Sequence, residues 1–222
     1  MNTLNPLNTF TFTLCKRACW LGFGVLMLSS CTSLLPAPPP APAFYALEGL
    51  AAEKPAASPM STIDANKATL IIHTPHAASG YATQHIMYQR KPHQLEYYAQ
   101  SEWVAPPCNM IAPMILQAIT QGGQFAAVVM APSHVLADYR LETEIIRLHQ
   151  SFVTQPSQLH LKVRAALINN VTRKVIAVRE FDEVANSSSE NAYGGVKAAN
   201  AVVQTFLAKL TAFCRESALP LK

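Results

Sequence analysis

No nucleophile elbow of the form G-x-S-x-G occurs in the 222 residues. The strained strand-to-helix turn that presents the serine of the common lipases and esterases is therefore missing. No glycine-rich phosphate loop is present either, which argues against nucleotide chemistry on this chain. His73 and His76 stand three apart without an accompanying cysteine or carboxylate cluster, so metal-ligand spacing is lacking. No catalytic residue, cofactor or metal is assigned. Excess charge is missing too: 17 Lys and Arg against 13 Asp and Glu give a net charge of +4, with nothing that suggests nucleic acid as a partner. Beyond residue 30 no apolar run approaches the about 20 helical residues needed to span a bilayer.

The N-terminus is where the sequence speaks most clearly. Its first seventeen residues contain no acidic group and end in Lys16 and Arg17, and Ala18 to Leu28 then form an apolar run broken only by glycine. That order is the order of an export signal. Leu28-Ser29-Ser30-Cys31 resembles the lipobox of bacterial lipoproteins, with a leucine three before the cysteine and small residues between. The resemblance implies that residues 1–30 are removed and that Cys31 becomes an acylated N-terminus carrying palmitate-class chains. Thr32 stands where aspartate would hold such a protein in the inner membrane, so the implied destination is the periplasmic face of the outer membrane. Three acyl chains would anchor it firmly, since each buried methylene contributes about 0.8 kcal/mol. Loss of Lys16 and Arg17 lowers the net charge from +4 to +2.

Residues 31–43 include five prolines, at 36, 38, 39, 40 and 42. Such a segment favours polyproline II at about 3.1 Å per residue and reads as a tether reaching at most roughly 35 Å from the lipid surface. Cys15 and Cys19 leave with the signal, which leaves Cys108 and Cys214 in the mature domain. Two readings of that pair stand side by side: a periplasmic disulfide, or two unpaired cysteines acting as small apolar groups. The first requires the two helical patterns to pack antiparallel, so that Cys108 before the first meets Cys214 at the end of the second.

Residues 44–214 read as one domain, followed by a tail at 215–222. Phe44 to Leu47 suggests a first strand, Glu48 to Asn66 a long Ala-, Pro- and Ser-rich loop, and Ala68 to His73 a brief β-rich run. Gln84 to Arg90 and Gln94 to Tyr98 flank a turn at Lys91-Pro92-His93 and predict a hairpin. Met110, Ile111, Met114, Ile115, Ala118 and Ile119 recur at helical spacing up to Gly122-Gly123, while Pro113 suggests that regular helix begins only near it. Strands follow at Phe125 to Met130, Tyr139 to Leu148, Leu159 to Ile168 and Lys174 to Phe181, with a turn at Asn169 to Arg173. Leu159, Leu161, Val163, Ala165 and Leu167 alternate with His160, Lys162 and Arg164, the pattern of a sheet covered on one side. A helix from Asn191 to Cys214 carries the stripe Val196, Ala199, Val203, Phe206, Leu210 and Phe213. The fold class is α+β: a two-layer domain with a largely antiparallel sheet and two amphipathic helices on one face.

In that setting the chain resembles the ABC-type transport auxiliary lipoprotein family, the PqiC-like partners of MCE-domain lipid transporters. The resemblance runs from Phe44-Tyr45-Ala46-Leu47 through Gly80-Tyr81, Ile86 to Arg90, Leu95 to Tyr98 and Trp103. It continues with Gly123-Gln124-Phe125, Ala137 to Leu141, Arg179-Glu180-Phe181, and Ala192-Tyr193 before Val196 and Ala198 to Ala201. It implies a compact α+β domain without a reaction of its own, assembled with an MCE-domain protein of an ABC transporter and with copies of itself in rings. The leading expectation is thus a non-catalytic adaptor held to the membrane by its lipid anchor. A periplasmic lipid-binding carrier, with a pocket between helices and sheet, is the alternative.

Two side-chain groups remain. Glu142 and Glu144 share one strand face, where a solvated pair is the simpler reading than a catalytic one. Tyr81, Tyr88, Tyr97, Tyr98 and Trp103 lie on or beside the predicted hairpin and form the candidate interaction surface. They either cover the sheet or dock a partner. The lipobox generates a direct test. Cys31→Ser should abolish acylation, and mass spectrometry of the wild-type N-terminus should find a lipid-modified Cys31; an unmodified cysteine there would contradict the anchor.

Overall fold

The computed structural model describes residues 41–49, 64 and 66–218. The signal, Cys31, most of the proline tether and most of the loop expected at 48–66 lie outside the described residues.

The element order is β1 (Ala43–Tyr45), β2 (Thr69–Ile72), β3 (His76–Ala77), β4 (His85–Lys91), β5 (Gln94–Trp103), α1 (Pro107–Gln121), β6 (Ala127–Met130), β7 (Tyr139–Ser151), β8 (Gln158–Asn169), β9 (Val175–Asn186) and α2 (Ala192–Ser217). Among the described residues nine strands join one sheet with β7 as its spine. Along one edge β7 pairs antiparallel with β8 over its whole length, and β8 pairs antiparallel with β9. Along the other edge three short strands, β2, β3 and β4, pair with β7 in turn, all parallel to it. The sheet then extends through β2 to β6 and through β4 to β5 and β1.

The α+β expectation holds, and the antiparallel pairs are the long ones. The parallel pairings are short, and nothing in a four-residue apolar run tells its direction. The hairpin turn falls where expected, with His93 at φ 67 in the left-handed region. Strands β5, β7 and β9 run three to five residues past their expected ends, because polar residues such as Gln150 and Glu183 continue each strand without continuing its apolar alternation.

Helix α1 begins at Pro107, six residues before the proline at which the sequence suggested a start. Pro107 occupies the first turn, where no backbone donor is needed. Pro113 is exposed, and the carbonyl it leaves unpaired belongs to exposed Asn109, where water can take the bond. The terminator is as expected: Gly122 N–H donates to Ala118 O at 3.1 Å, and Gly123 takes φ 64. Helix α2 runs to Ser217, three residues into what the sequence suggested as a tail, and Arg179 reaches Glu216 at 3.2 Å there.

Both helices pack on one face of the sheet. Ile111, Ile115 and Ile119 of α1 and Val203, Phe206, Leu207 and Leu210 of α2 are essentially inaccessible, as are Leu141, Leu161, Ala165 and Leu167 beneath them. Phe181 of β9 meets Phe206 and Phe213 edge-on, with centroids 5.4 and 6.1 Å apart. Burial of each such large side chain stabilises the fold by about 1.5–3 kcal/mol.

The helices run parallel. Gln124, just past the end of α1, donates from Nε2 to Thr211 O near the end of α2 at 3.4 Å. This corrects the disulfide expectation. Cys108 begins α1 while Cys214 ends α2, so the two sit about 20 Å apart along the helix axis, well beyond the about 7 Å that a bridge tolerates. Both thiols are free. Burial pushes that of Cys214 up to about 12, which leaves it unreactive.

A buried polar knot seats the start of α2. Gln150, with no exposed surface, accepts from Tyr98 Oη at 2.9 Å and donates to Ser157 Oγ at 2.9 Å and Ser187 Oγ at 3.1 Å. Asn191 caps the helix by accepting from Gly194 N–H at 2.9 Å. The helix comes so close here that a Cβ on Gly195 would stand 2.3 Å from Gln150 Oε1. Gly195→Ala should therefore displace the Gln150 amide and destabilise the protein by about 1–3 kcal/mol. Urea unfolding should show a lower midpoint with an unchanged slope; an unchanged midpoint would contradict this packing.

Candidate functional site

The site grows out of a phase change in β7. From Tyr139 to Ile145 the odd-numbered residues face the helices; the register then shifts between Ile145 and Arg147, and Leu148 and Gln150 face them instead. One extra residue in the strand does this. Without it Arg147 and His149 would point into the core. With it they join the face of the sheet that no helix covers among the described residues.

That open face is laid out in rows. Arg140 meets Glu142 at 2.9 Å, Arg164 meets Glu144 across β7 and β8, and Lys162 meets Glu180 at 2.7 Å across β8 and β9. Glu142 and Glu144 are thus engaged by arginines rather than set against each other. His76 of β3 is exposed beside Glu144, and His73 lies beyond the end of β2. No group of three potential metal ligands exists among the described residues.

Toward the far end of β7 the ion pairs give way to a groove of about 590 Å³ between the β4–β5 hairpin and strands β7 and β8. Its floor is Arg147, His149 and His160, and its hairpin wall includes Gln89, His93 and Leu95. Tyr81 Oη lies 3.0 Å from His149 Nδ1. The rings of His149 and His160 stack with centroids 5.8 Å apart. Burial, then the neighbouring His160 and Arg147, hold the His149 imidazole down at about 4. Burial and Arg147 lower His160 as well, against a smaller opposing effect of Asp182. Burial raises the Tyr81 phenol, which stays protonated.

The five hairpin aromatics do not form one surface. Trp103 is in the core at 3% exposure. Tyr88 and Tyr98 turn to the helix side, with centroids 4.6 Å apart, and Tyr98 serves the Gln150 knot. Tyr88 donates to Glu96 at 3.1 Å, and Arg90 closes on the same carboxylate. Only Tyr81 and Tyr97 belong to the open face. Tyr97 is 55% exposed and stacks on His85 at 4.4 Å. Sequence reasoning passed over Arg147, His149 and His160. The Ile145-Ile146 doublet followed by Leu148 was the available signal of a phase change.

A family model described as ABC-type transport auxiliary lipoprotein component matches residues 47–211. No curated protein matches the chain. Among solved structures, a Xanthomonas campestris protein aligns with a TM-score of 0.67 at 20% identity, covering 78% of this chain and 95% of its own. An uncharacterized protein aligns with a TM-score of 0.58 at 13% identity, covering 80% and 98%. At such identities these two are similar in fold alone.

The depressed His149 makes stability depend on pH. Its folded pKa lies below the ordinary value, so its contribution is complete above about pH 6.5 and is lost as pH falls toward 4. Up to about 3 kcal/mol is at stake. His149→Gln should flatten the fall in thermal midpoint between pH 6.5 and 4, and an equally steep fall in that variant would show that another group is responsible.

Proposed function

The chain belongs to the ABC-type transport auxiliary lipoprotein family, and from that premise we propose that it is the non-catalytic outer-membrane adaptor of an MCE-type lipid transport system. In this reading acylated Cys31 and the proline tether hold the domain at the periplasmic face of the outer membrane. The domain meets the distal end of the MCE conduit, while ATP is used elsewhere in the system. The observation that carries the reading is the sheet face that no helix covers among the described residues. A sheet this large is ordinarily buried on one side and solvated on the other, yet here the solvated side also presents Tyr97, Leu95, Val178 and Val184 at 41–56% exposure. Aromatic and aliphatic groups among paired charges are the composition of a docking surface.

The carrier alternative needs an apolar cavity between helices and sheet. That layer is occupied by Phe206, Phe213, Leu161 and Leu210, all at 0–1% exposure.

The adaptor reading is tested by purifying the tagged, full-length protein from membranes of cells that express the transporter. The MCE-domain subunit should copurify. Tyr97→Glu with Leu95→Glu should weaken the association at least tenfold, whereas Ala201→Glu on the exposed side of α2 should leave it intact. Copurification unaffected by the hairpin pair, or none at all, would contradict the proposal.

A further inference from the structure

Arg147 differs from the other cations on its face. Arg140, Arg164 and Lys162 are each held by a glutamate. Arg147 has no ion-pair partner among the described residues, although it sits half-buried in the groove. An unpaired guanidinium in a recess is costly to keep unless something fills its fork of donors. The polar side chains around it are all able to donate a hydrogen bond. His149 and His160 rise from β7 and β8, His93 looks in from the hairpin turn, and no carboxylate lines the groove among the described residues.

Among the described residues, the groove's lining holds one arginine and no aspartate or glutamate. From β8 comes Lys162, turned to Glu180; from β9 comes Asp182, whose effect on His160 is the smallest of three. Tyr81 Oη and His149 Nδ1 share a hydrogen bond at 3.0 Å, and in the tautomer where the hydroxyl donates, the imidazole carries its own proton on Nε2, free for a ligand. Leu95, Val153 and Pro92 supply an apolar rim.

We propose that this groove binds a phosphate-type oxyanion, with Arg147 making paired charge-assisted hydrogen bonds and His149 and His160 donating to the remaining oxygens. The geometry suits planar recognition of a tetrahedral anion. Two sources share this chemistry, the headgroup of a phospholipid and free phosphate. A bound anion also favours the protonated imidazoles, which burial holds below their ordinary range in the empty groove, so affinity for an anion of constant charge rises as pH falls from 7 to 5. The proposal stands independently of the adaptor reading, because it concerns this chain alone.

The test uses the full-length protein in non-ionic detergent, with the histidine imidazole resonances followed by NMR. Inorganic phosphate, sulfate and mixed micelles containing phosphatidylglycerol are titrated separately, with chloride as reference. Saturable shifts of His149 and His160 are expected, and sulfate should bind more tightly at pH 5 than at pH 7. Arg147→Gln should weaken binding tenfold or more, as loss of a charge-assisted pair implies. Arg147→Lys, which keeps the charge, should fall between and serves if the glutamine variant unfolds. Saturation by micelles at far lower concentration than by phosphate identifies a lipid headgroup, and the reverse identifies a small anion; either supports the site. Shifts that never saturate, that chloride reproduces, or that survive unchanged in both Arg147 variants overturn it.

Discussion

The structure depends on one constraint, the two-residue repeat of β7, β8 and β9. Their apolar groups fall on one side, so the sheet is buried only there. Both helices must lie on that side, and the opposite side must be finished with polar groups. Leu161, Val163, Ala165 and Leu167 supply the buried face of β8, and Lys162 and Arg164 the open one. A single-residue slip would exchange the two sets and bury two cations. The extra residue after Ile145 works within that constraint. It keeps Leu148 and Gln150 under α2 and delivers Arg147 and His149 to the open side.

Polar contacts then decide how the helices sit. The apolar stripe of α2 tells which side faces the sheet but not where along it the helix stops. Gln150, Ser157 and Ser187 fix its beginning, and Lys209 closes on the nearly buried Glu183 of β9 at 2.7 Å toward its end. Between β1 and the helices, Glu48 N–H donates to Asn200 Oδ1 at 2.6 Å, and Gln204 donates to the Glu48 carbonyl at 3.0 Å. A close-packed helix start of this kind explains the adjacent Gly194 and Gly195, where any side chain would collide with Ser189 or Gln150.

How far the sequence carried the reading depends on the kind of signal. Regular alternation in β8 and the helical stripe in α2 were legible because burial imposes their periods directly. The hairpin was legible from its turn residues. Helix direction was not: amphipathicity is the same read either way, so parallel α1 and α2, and with them the separation of Cys108 from Cys214, emerge only in three dimensions. The aromatic cluster misled for a related reason. Neighbouring Tyr97 and Tyr98 lie on opposite faces of a strand, and Trp103 is drawn into the core. The groove was hidden because the three basic residues of its floor come from two strands and align only after the register shift.

The central claim is that the helix side of the sheet holds the fold together while the open side is left for a partner. Thiol labelling in membranes tests it most directly. Single cysteines at Lys162 on the open face and at Ala201 on the outer side of α2 would be probed with an impermeant maleimide, with and without the transporter subunits. The account predicts that position 162 becomes shielded when the transporter is present while position 201 labels equally in both. Shielding at 201 with 162 left open would contradict it.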